Sequence, residues 1–151
     1  MRDINEMRLE FAALPENEAF ARLAISGFML PLDPTMEQLA DVKTAVSEAV
    51  TNAIIHGYGG MGGTVVMCAA YGDSGELVIK IIDQGRGIDD IPRARQPFFT
   101  TCRGEDRSGM GFTVMESFMD DVEVQSAPGK GTTVIMAKQM KLREDAIPHE
   151  A

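Results

Sequence analysis

Glu48-Ala49-Val50-Thr51-Asn52-Ala53-Ile54-Ile55-His56-Gly57 closes a segment of one periodicity that begins at Thr35. Leu39, Val42, Val46, Ala49, Val50 and Ala53 recur at three- and four-residue steps, which predicts a long helix with one apolar stripe. Thr35 reads as its N-cap, with Gln38 in capping-box position, and Gly57 as its C-terminal stop. Glu48 and Asn52 are four residues apart and so share a helix face, away from the stripe. A carboxylate beside an amide can act as a base next to a hard oxygen ligand for Mg²⁺. For the pair alone, a solvated polar face is the simpler reading.

On the N-terminal side, Arg8 to Ala12 alternates polar and apolar residues as a short half-buried strand, and Pro15-Glu16-Asn17 breaks it. Ala19 to Met29 carries helical periodicity through Phe20, Leu23, Ala24 and Phe28, stopping at Pro31 to Pro34. On the C-terminal side, Gly59-Gly60-Met61-Gly62-Gly63 is a mobile linker rather than a phosphate loop, because no Lys-Ser/Thr follows and a strand comes next. Thr64 to Tyr71 and Glu76 to Asp83 are strands joined by the Gly72-Asp73-Ser74-Gly75 turn. Arg86 to Arg107 is long, polar and irregular, with Pro92 and Pro97 interrupting any helix, and reads as a lid. Gly111 to Asp120 is a short helix, followed by a hairpin of Val122 to Ser126 and Thr132 to Lys138. These elements predict an α/β fold. It is a two-layer sandwich of a mostly antiparallel mixed sheet with three helices on one face, a single domain over residues 1–140 with a flexible C-terminal tail at 141–151.

The bulk composition narrows the function. A net charge of −9 over 151 residues opposes direct binding to nucleic acid, whose phosphates need clustered Lys and Arg. No apolar run approaches the ~20 residues of a membrane helix, and Met1-Arg2-Asp3-Ile4-Asn5-Glu6 lacks a signal-peptide core, so neither membrane nor export is expected and the location is cytoplasmic. Cys68 and Cys102 have neither metal-site spacing nor a disulfide framework. Cys68 reads as a small core residue, and Cys102 as a thiol in a polar segment.

Three glycine turns follow the helix in order: Asp83-Gln84-Gly85-Arg86-Gly87, Ser108-Gly109-Met110-Gly111 and Gly129-Lys130-Gly131-Thr132. Asp83 ends a strand, where its carboxylate can accept a hydrogen bond from an adenine amino group while the glycines admit the base. Gly109-Met110-Gly111 opens a helix whose free N–H groups favour phosphate. Alone, Asp83 to Gly87 is satisfied by an ordinary turn, Gly109 to Gly111 is equally a glycine-rich helix start, and Gly129-Lys130-Gly131 is more simply a hairpin turn. In this order, after Glu48 and Asn52, they describe a magnesium–ATP site that is not a P-loop.

The joint pattern resembles the GHKL (Bergerat) ATP-binding family of histidine-kinase catalytic domains and gyrase-type ATPases, over about Glu6 to Met140. Glu48 to Asn52 is similar to its N box, and the three turns to its glycine boxes. Within that family, Ser47 to Tyr58, Leu32-Asp33-Pro34-Thr35-Met36, Ala94-Arg95-Gln96-Pro97, Phe99-Thr100-Thr101 and Arg107-Ser108-Gly109-Met110-Gly111-Phe112 resemble the anti-sigma F factors of spore-forming bacteria. The likeness lapses at 102–106 and 59–63, outside the boxes. It implies a homodimeric serine protein kinase that sequesters a sporulation sigma factor and phosphorylates an anti-anti-sigma protein, using ATP and Mg²⁺. It further implies Glu48 as general base, Asn52 as the Mg²⁺ ligand, and Asp83 on adenine with Thr132 or Thr133 in support. Gly85, Gly87, Gly109 and Gly111 shape the pocket; Arg107 and Ser108 close the lid, with Thr100, Thr101 and Met110 also on the nucleotide; Arg22 faces the partner. Two alternatives stay open: a non-catalytic, nucleotide-dependent sigma-sequestering module, and a histidine-kinase catalytic domain acting in trans.

Overall fold

A computed structural model describes residues 4–88, 90–95 and 111–140. Strands β1 (Asn5–Ala12), β2 (Thr64–Tyr71), β3 (Glu76–Asp83), β4 (Asp121–Ser126) and β5 (Thr132–Gln139) form one sheet in the order β1-β2-β3-β5-β4. The helices are α1 (Asn17–Phe28), α2 (Met36–Asn52), the four-residue α3 (Ile91–Ala94) and α4 (Gly111–Phe118). The expected two-layer α/β sandwich is the architecture found, with α1, α2 and α4 over one face of the sheet.

The sheet departs from expectation in one respect: every described pairing is antiparallel, so it is not mixed. The connection from β3 through α4 does return β4 parallel to β3. β5 then folds back into the gap between them, and the two parallel strands are never neighbours.

Strand alternation decides what meets the helices. Val65, Met67 and Ala69 of β2, Leu77, Ile79 and Ile81 of β3, and Val134 and Met136 of β5 are buried on the helix side. Each large side chain fully removed from water there contributes roughly 1.5–3 kcal/mol. α2 answers with Val42, Ala45, Val46, Ala49 and Val50, small residues that let it lie close to the sheet. Its capping box is complete, with Gln38 N–H donating to Thr35 Oγ1 at 3.0 Å and Thr35 N–H to Gln38 Oε1 at 2.9 Å. Lys138 reaches this interior: its Nζ donates to Phe118 O at the end of α4 (2.7 Å) and lies 3.7 Å from Asp41 Oδ2 of α2.

Four local expectations are corrected. On α1 the buried positions are Ala21 and Ile25, continued by Met29, whereas Phe20 and Leu23 are 46% and 73% exposed. The helix carries two apolar stripes and can turn only one toward α2; Phe20 keeps an edge-on contact with Phe11. A short helix forms at Ile91–Ala94 despite Pro92, which sits in the first turn, where a missing N–H costs nothing. The α-helical hydrogen bonding of α2 stops at Asn52 and continues as a π-helical turn, Ala53–Gly57, with Tyr58 N–H donating to Ala53 O at 3.1 Å. Cys68 is half-buried on the other face of the sheet, beside Arg8 and Lys80, because its neighbours Met67 and Ala69 take the core positions.

That second face carries half-buried Val66, Ala70, Val78, Ile82, Ile135 and Ala137, and no helix among the described residues packs on it. Among the described residues no helix is long and apolar enough to cross a membrane. Cys102 and the tail expected at 141–151 lie outside the described residues.

Candidate functional site

Asp83, the last residue of β3, stands opposite Thr132 of β5, and at 5% exposure its carboxylate is buried. Gly85 N–H donates to its Oδ1 at 2.8 Å. Burial pushes the Asp83 carboxyl above the usual carboxylate range, and backbone hydrogen bonds from Gly85 and Thr132 counter it only in part. A carboxylate this desolvated gains from one further donor, which an exocyclic amine supplies.

The space around Asp83 exists because side chains are missing. A Cβ on Gly57 would lie 2.8 Å from Asp83 Oδ1, and one on Gly85 would lie 2.0 Å from Gly57 O. Gly57 therefore does not act as the left-handed helix stop expected of it; its φ is not positive, and its role is to let the π-turn touch the carboxylate. Two hydrogen bonds from Arg86 hold this approach: its backbone N–H to Gly57 O at 2.9 Å and its side-chain Nε to His56 O at 2.7 Å. Gly87 takes the bend after it (φ 79°), and Gly129 N–H fastens the third turn to Arg86 O at 2.6 Å.

At the start of the same π-helical turn, Asn52 is half-buried at the end of α2, with half-buried Glu48 one turn before it. A Cβ on Gly111 would lie 2.8 Å from Asn52 Nδ2, so the amide rests directly on the first residue of α4. An amide oxygen and a carboxylate on one helix face, beside a helix start, are a hard-donor set that suits Mg²⁺ and phosphate. The glycine cradle at Asp83 suits a flat base. The residues present fit both groups.

Thr132 shares the helix-side face with Asp83, and its hydroxyl is 2.8 Å from Ser126 Oγ. Thr133 does not join them; it lies on the opposite face, paired with Ile82 and Gln125. Thr100, Thr101, Arg107, Ser108, Gly109 and Met110 lie outside the described residues. Sequence reasoning passed over Ser126, whose hydroxyl donates to Gly131 O and accepts from Ile88 N–H, both at 2.8 Å, tying two glycine turns together. Only its cross-strand pairing with Thr132 reveals it.

Arg22 sits apart from this site, on α1. It is ion-paired to Glu18 one turn earlier and borders a cleft of ≈ 280 Å³ with Ala40, Lys43, Thr44 and Ser47 of α2. The α2 residues recur at helical spacing on one face, a signal readable only once α1 is known to lie against it. Exposed Leu23 neighbours Arg22 on the same helix.

Residues 11–138 match the model of the histidine kinase-like ATPase domain. The chain is 55% identical over 141 residues to the anti-sigma F factor of Clostridium acetobutylicum, covering 93% of this chain and 98% of that protein. The RsbU and RsbW domains of a Mycobacterium tuberculosis protein share the fold with a TM-score of 0.64 at 18% identity, over 90% of this chain and 32% of that one. Full-length ShkA in complex with AMPPNP shares it with a TM-score of 0.56 at 18% identity, over 83% of this chain and 30% of that one. Fold, ordered boxes and extended identity converge: the chain belongs to the histidine kinase-like ATPase domain family and, within it, to the anti-sigma F factors.

Proposed function

We propose that this chain is an ATP-dependent protein serine kinase that also binds and inhibits a sporulation sigma factor, phosphorylates an anti-anti-sigma protein on serine, and works as a cytoplasmic homodimer. The observation that carries the kinase reading is the meeting of Asn52 with Gly111 just before the π-helical turn Ala53–Gly57 and of Gly57 with buried Asp83 at the close of that turn. One segment thus spans a phosphate end and a base end.

Asp83 accepts from the adenine amino group with the oxygen that Gly85 leaves available, and Thr132 lies beside it. Asn52 offers its amide oxygen as the metal ligand, and the α4 start at Gly111 faces the phosphates. Mg²⁺, when bound, neutralises phosphate charge as the phosphoryl group transfers. Glu48, on the Asn52 face, takes the proton from the acceptor serine hydroxyl as its oxygen attacks phosphorus and ADP leaves. In this reading Arg107 and Ser108 close the lid, Gly109 shapes the pocket, and Thr100, Thr101 and Met110 bind the nucleotide.

The identity of 55% to an anti-sigma F factor supports a sigma factor as the partner, and exposed Leu23 beside Arg22 supports α1 as its surface. The half-buried apolar sheet face without a helix on it supports pairing with a second copy.

The test incubates the purified chain with Mg–ATP and candidate anti-anti-sigma proteins, read by intact mass and site mapping. A phosphoserine on the partner is expected from the wild type. Glu48→Gln should keep nucleotide and sigma binding while transfer falls by roughly 10²- to 10⁴-fold. Unimpaired transfer by that variant removes Glu48 as the base. No transfer by the wild type leaves a sequestering module, and a phosphohistidine product makes it a histidine kinase.

A further inference from the structure

The phenol of Tyr58 has no part in the chemistry above, yet it is the hub between the two ends of the site. Its hydroxyl donates to Thr64 O at the start of β2 (2.7 Å) and accepts Gln84 N–H, the residue after Asp83 (2.7 Å). The ring is packed tightly enough that a Cβ on Gly63 would fall 2.4 Å from Cε1. Tyr58 also closes the π-helical turn by its own N–H to Ala53 O. Together with the two Arg86 bonds to His56 O and Gly57 O, it fastens the three consecutive residues 56 to 58, at the close of the turn, to the loop that follows Asp83.

The π-helical turn widens the end of the Asn52 helix by one residue, and π-turns of this kind concentrate at functional sites. An α-helical continuation would bond Tyr58 N–H to Ile54 O instead and rotate the ring away from β2. The turn therefore depends on tertiary tethers, of which the phenol is one. The Gln84 end of the tether is exposed, so water replaces that hydrogen bond cheaply when the hydroxyl is absent. What water does not replace is the fixed position of the peptide beside Asp83.

We propose that Tyr58 is a positioning residue that sets base selectivity: its hydroxyl anchors Gln84, and thereby holds the Asp83 carboxylate and the Gly85 gap in register for a purine bearing a 6-amino group. The inference rests on the reading of Asp83 as the adenine-binding group. Tyr58 acts through the Gln84 backbone and does not itself reach the nucleotide.

The test is Tyr58→Phe in the full chain, which keeps the ring against Gly63 and deletes only the hydroxyl. Affinities for ATP and for inosine triphosphate, which has an oxo group at the 6 position, are measured by calorimetry with Mg²⁺, alongside thermal melts and phosphoryl transfer to a protein acceptor. Expected are a roughly 3- to 10-fold weaker ATP affinity, as a less well placed Asp83 forfeits part of its hydrogen bond to the 6-amino group, and a smaller change for inosine triphosphate. The preference for ATP therefore narrows. KM for ATP rises with kcat held, and the melting temperature stays within a few degrees. An unchanged preference, or equal losses for both nucleotides together with a large drop in melting temperature, overturns the proposal in favour of a purely structural tyrosine. A wild type that binds both nucleotides equally well overturns the Asp83 reading itself, and the role of Tyr58 falls with it.

Discussion

Asp83→Asn separates nucleotide binding from stability, and the structure sets both signs. In the wild type the carboxylate accepts a backbone hydrogen bond from Thr132 and, on Oδ1, one from Gly85 N–H at 2.8 Å. The asparagine amide keeps that bond only by placing its oxygen toward Gly85, which turns its NH₂ toward the position of the incoming base. Adenine then loses a charged acceptor and meets a donor. A hydrogen bond to a charged group is worth about 1.5–3 kcal/mol, so ATP affinity should fall roughly 10- to 150-fold. The ligand-free protein, in contrast, loses a charge from a site only 5% exposed, and its stability at neutral pH should be unchanged or raised.

The pH dependence follows from the raised carboxyl of Asp83. In the folded chain this group keeps its proton to a higher pH than in the unfolded chain, so the folded state binds more protons across that window. Its contribution to stability is full below the ordinary Asp value of about 3.9 and is lost as pH rises through the raised folded value. Asparagine has no such window, so acid should favour the wild type and neutral pH the variant. ATP affinity of the wild type runs the other way, falling as Asp83 takes up its proton. Calorimetric titration and thermal melts over a pH series read both quantities. A variant that melts several degrees lower at neutral pH yet binds ATP as tightly as the wild type refutes the reasoning, and reduces Asp83 to a structural acceptor for Gly85.

Three further substitutions test the packing. Gly85→Ala forces a methyl to within 2.0 Å of Gly57 O and must break the Arg86-to-Gly57 approach, at a cost of about 1–3 kcal/mol in denaturant unfolding with weakened ATP binding. Gly27→Ala on α1, where nothing lies within 4 Å of the new methyl, should instead stabilise by roughly 0.5–1 kcal/mol and leave ATP binding untouched; equal effects at the two glycines would undo the account of Gly85. Lys138→Met strips Phe118 O of its donor and leaves Asp41 without that cation, so about 1–3 kcal/mol of stability should be lost, read as a lower denaturant midpoint at constant slope.

What the chain discloses locally and what it discloses only when folded divide along a physical line. The capping box at Thr35, the apolar stripe of α2, both hairpins and the Glu48–Asn52 pair were legible because each depends on residues within a few positions of one another. The buried stripe of α1 was not, since two apolar stripes compete and the position of α2 chooses between them. Strand alternation shows that Thr132 and Thr133 face opposite sides, but only the Asp83↔Thr132 register says which one shares a face with the carboxylate. The glycines make the same point from the other direction. Gly57, Gly85 and Gly111 all read locally as turn or cap residues, yet each is a gap into which a group from elsewhere in the chain fits: the Asp83 carboxylate, the Gly57 carbonyl and the Asn52 amide. A residue that merely bends the chain can be exchanged for another that tolerates the bend. A residue that leaves room for a distant group cannot, so the order of the glycine turns along the chain carries more than any single turn.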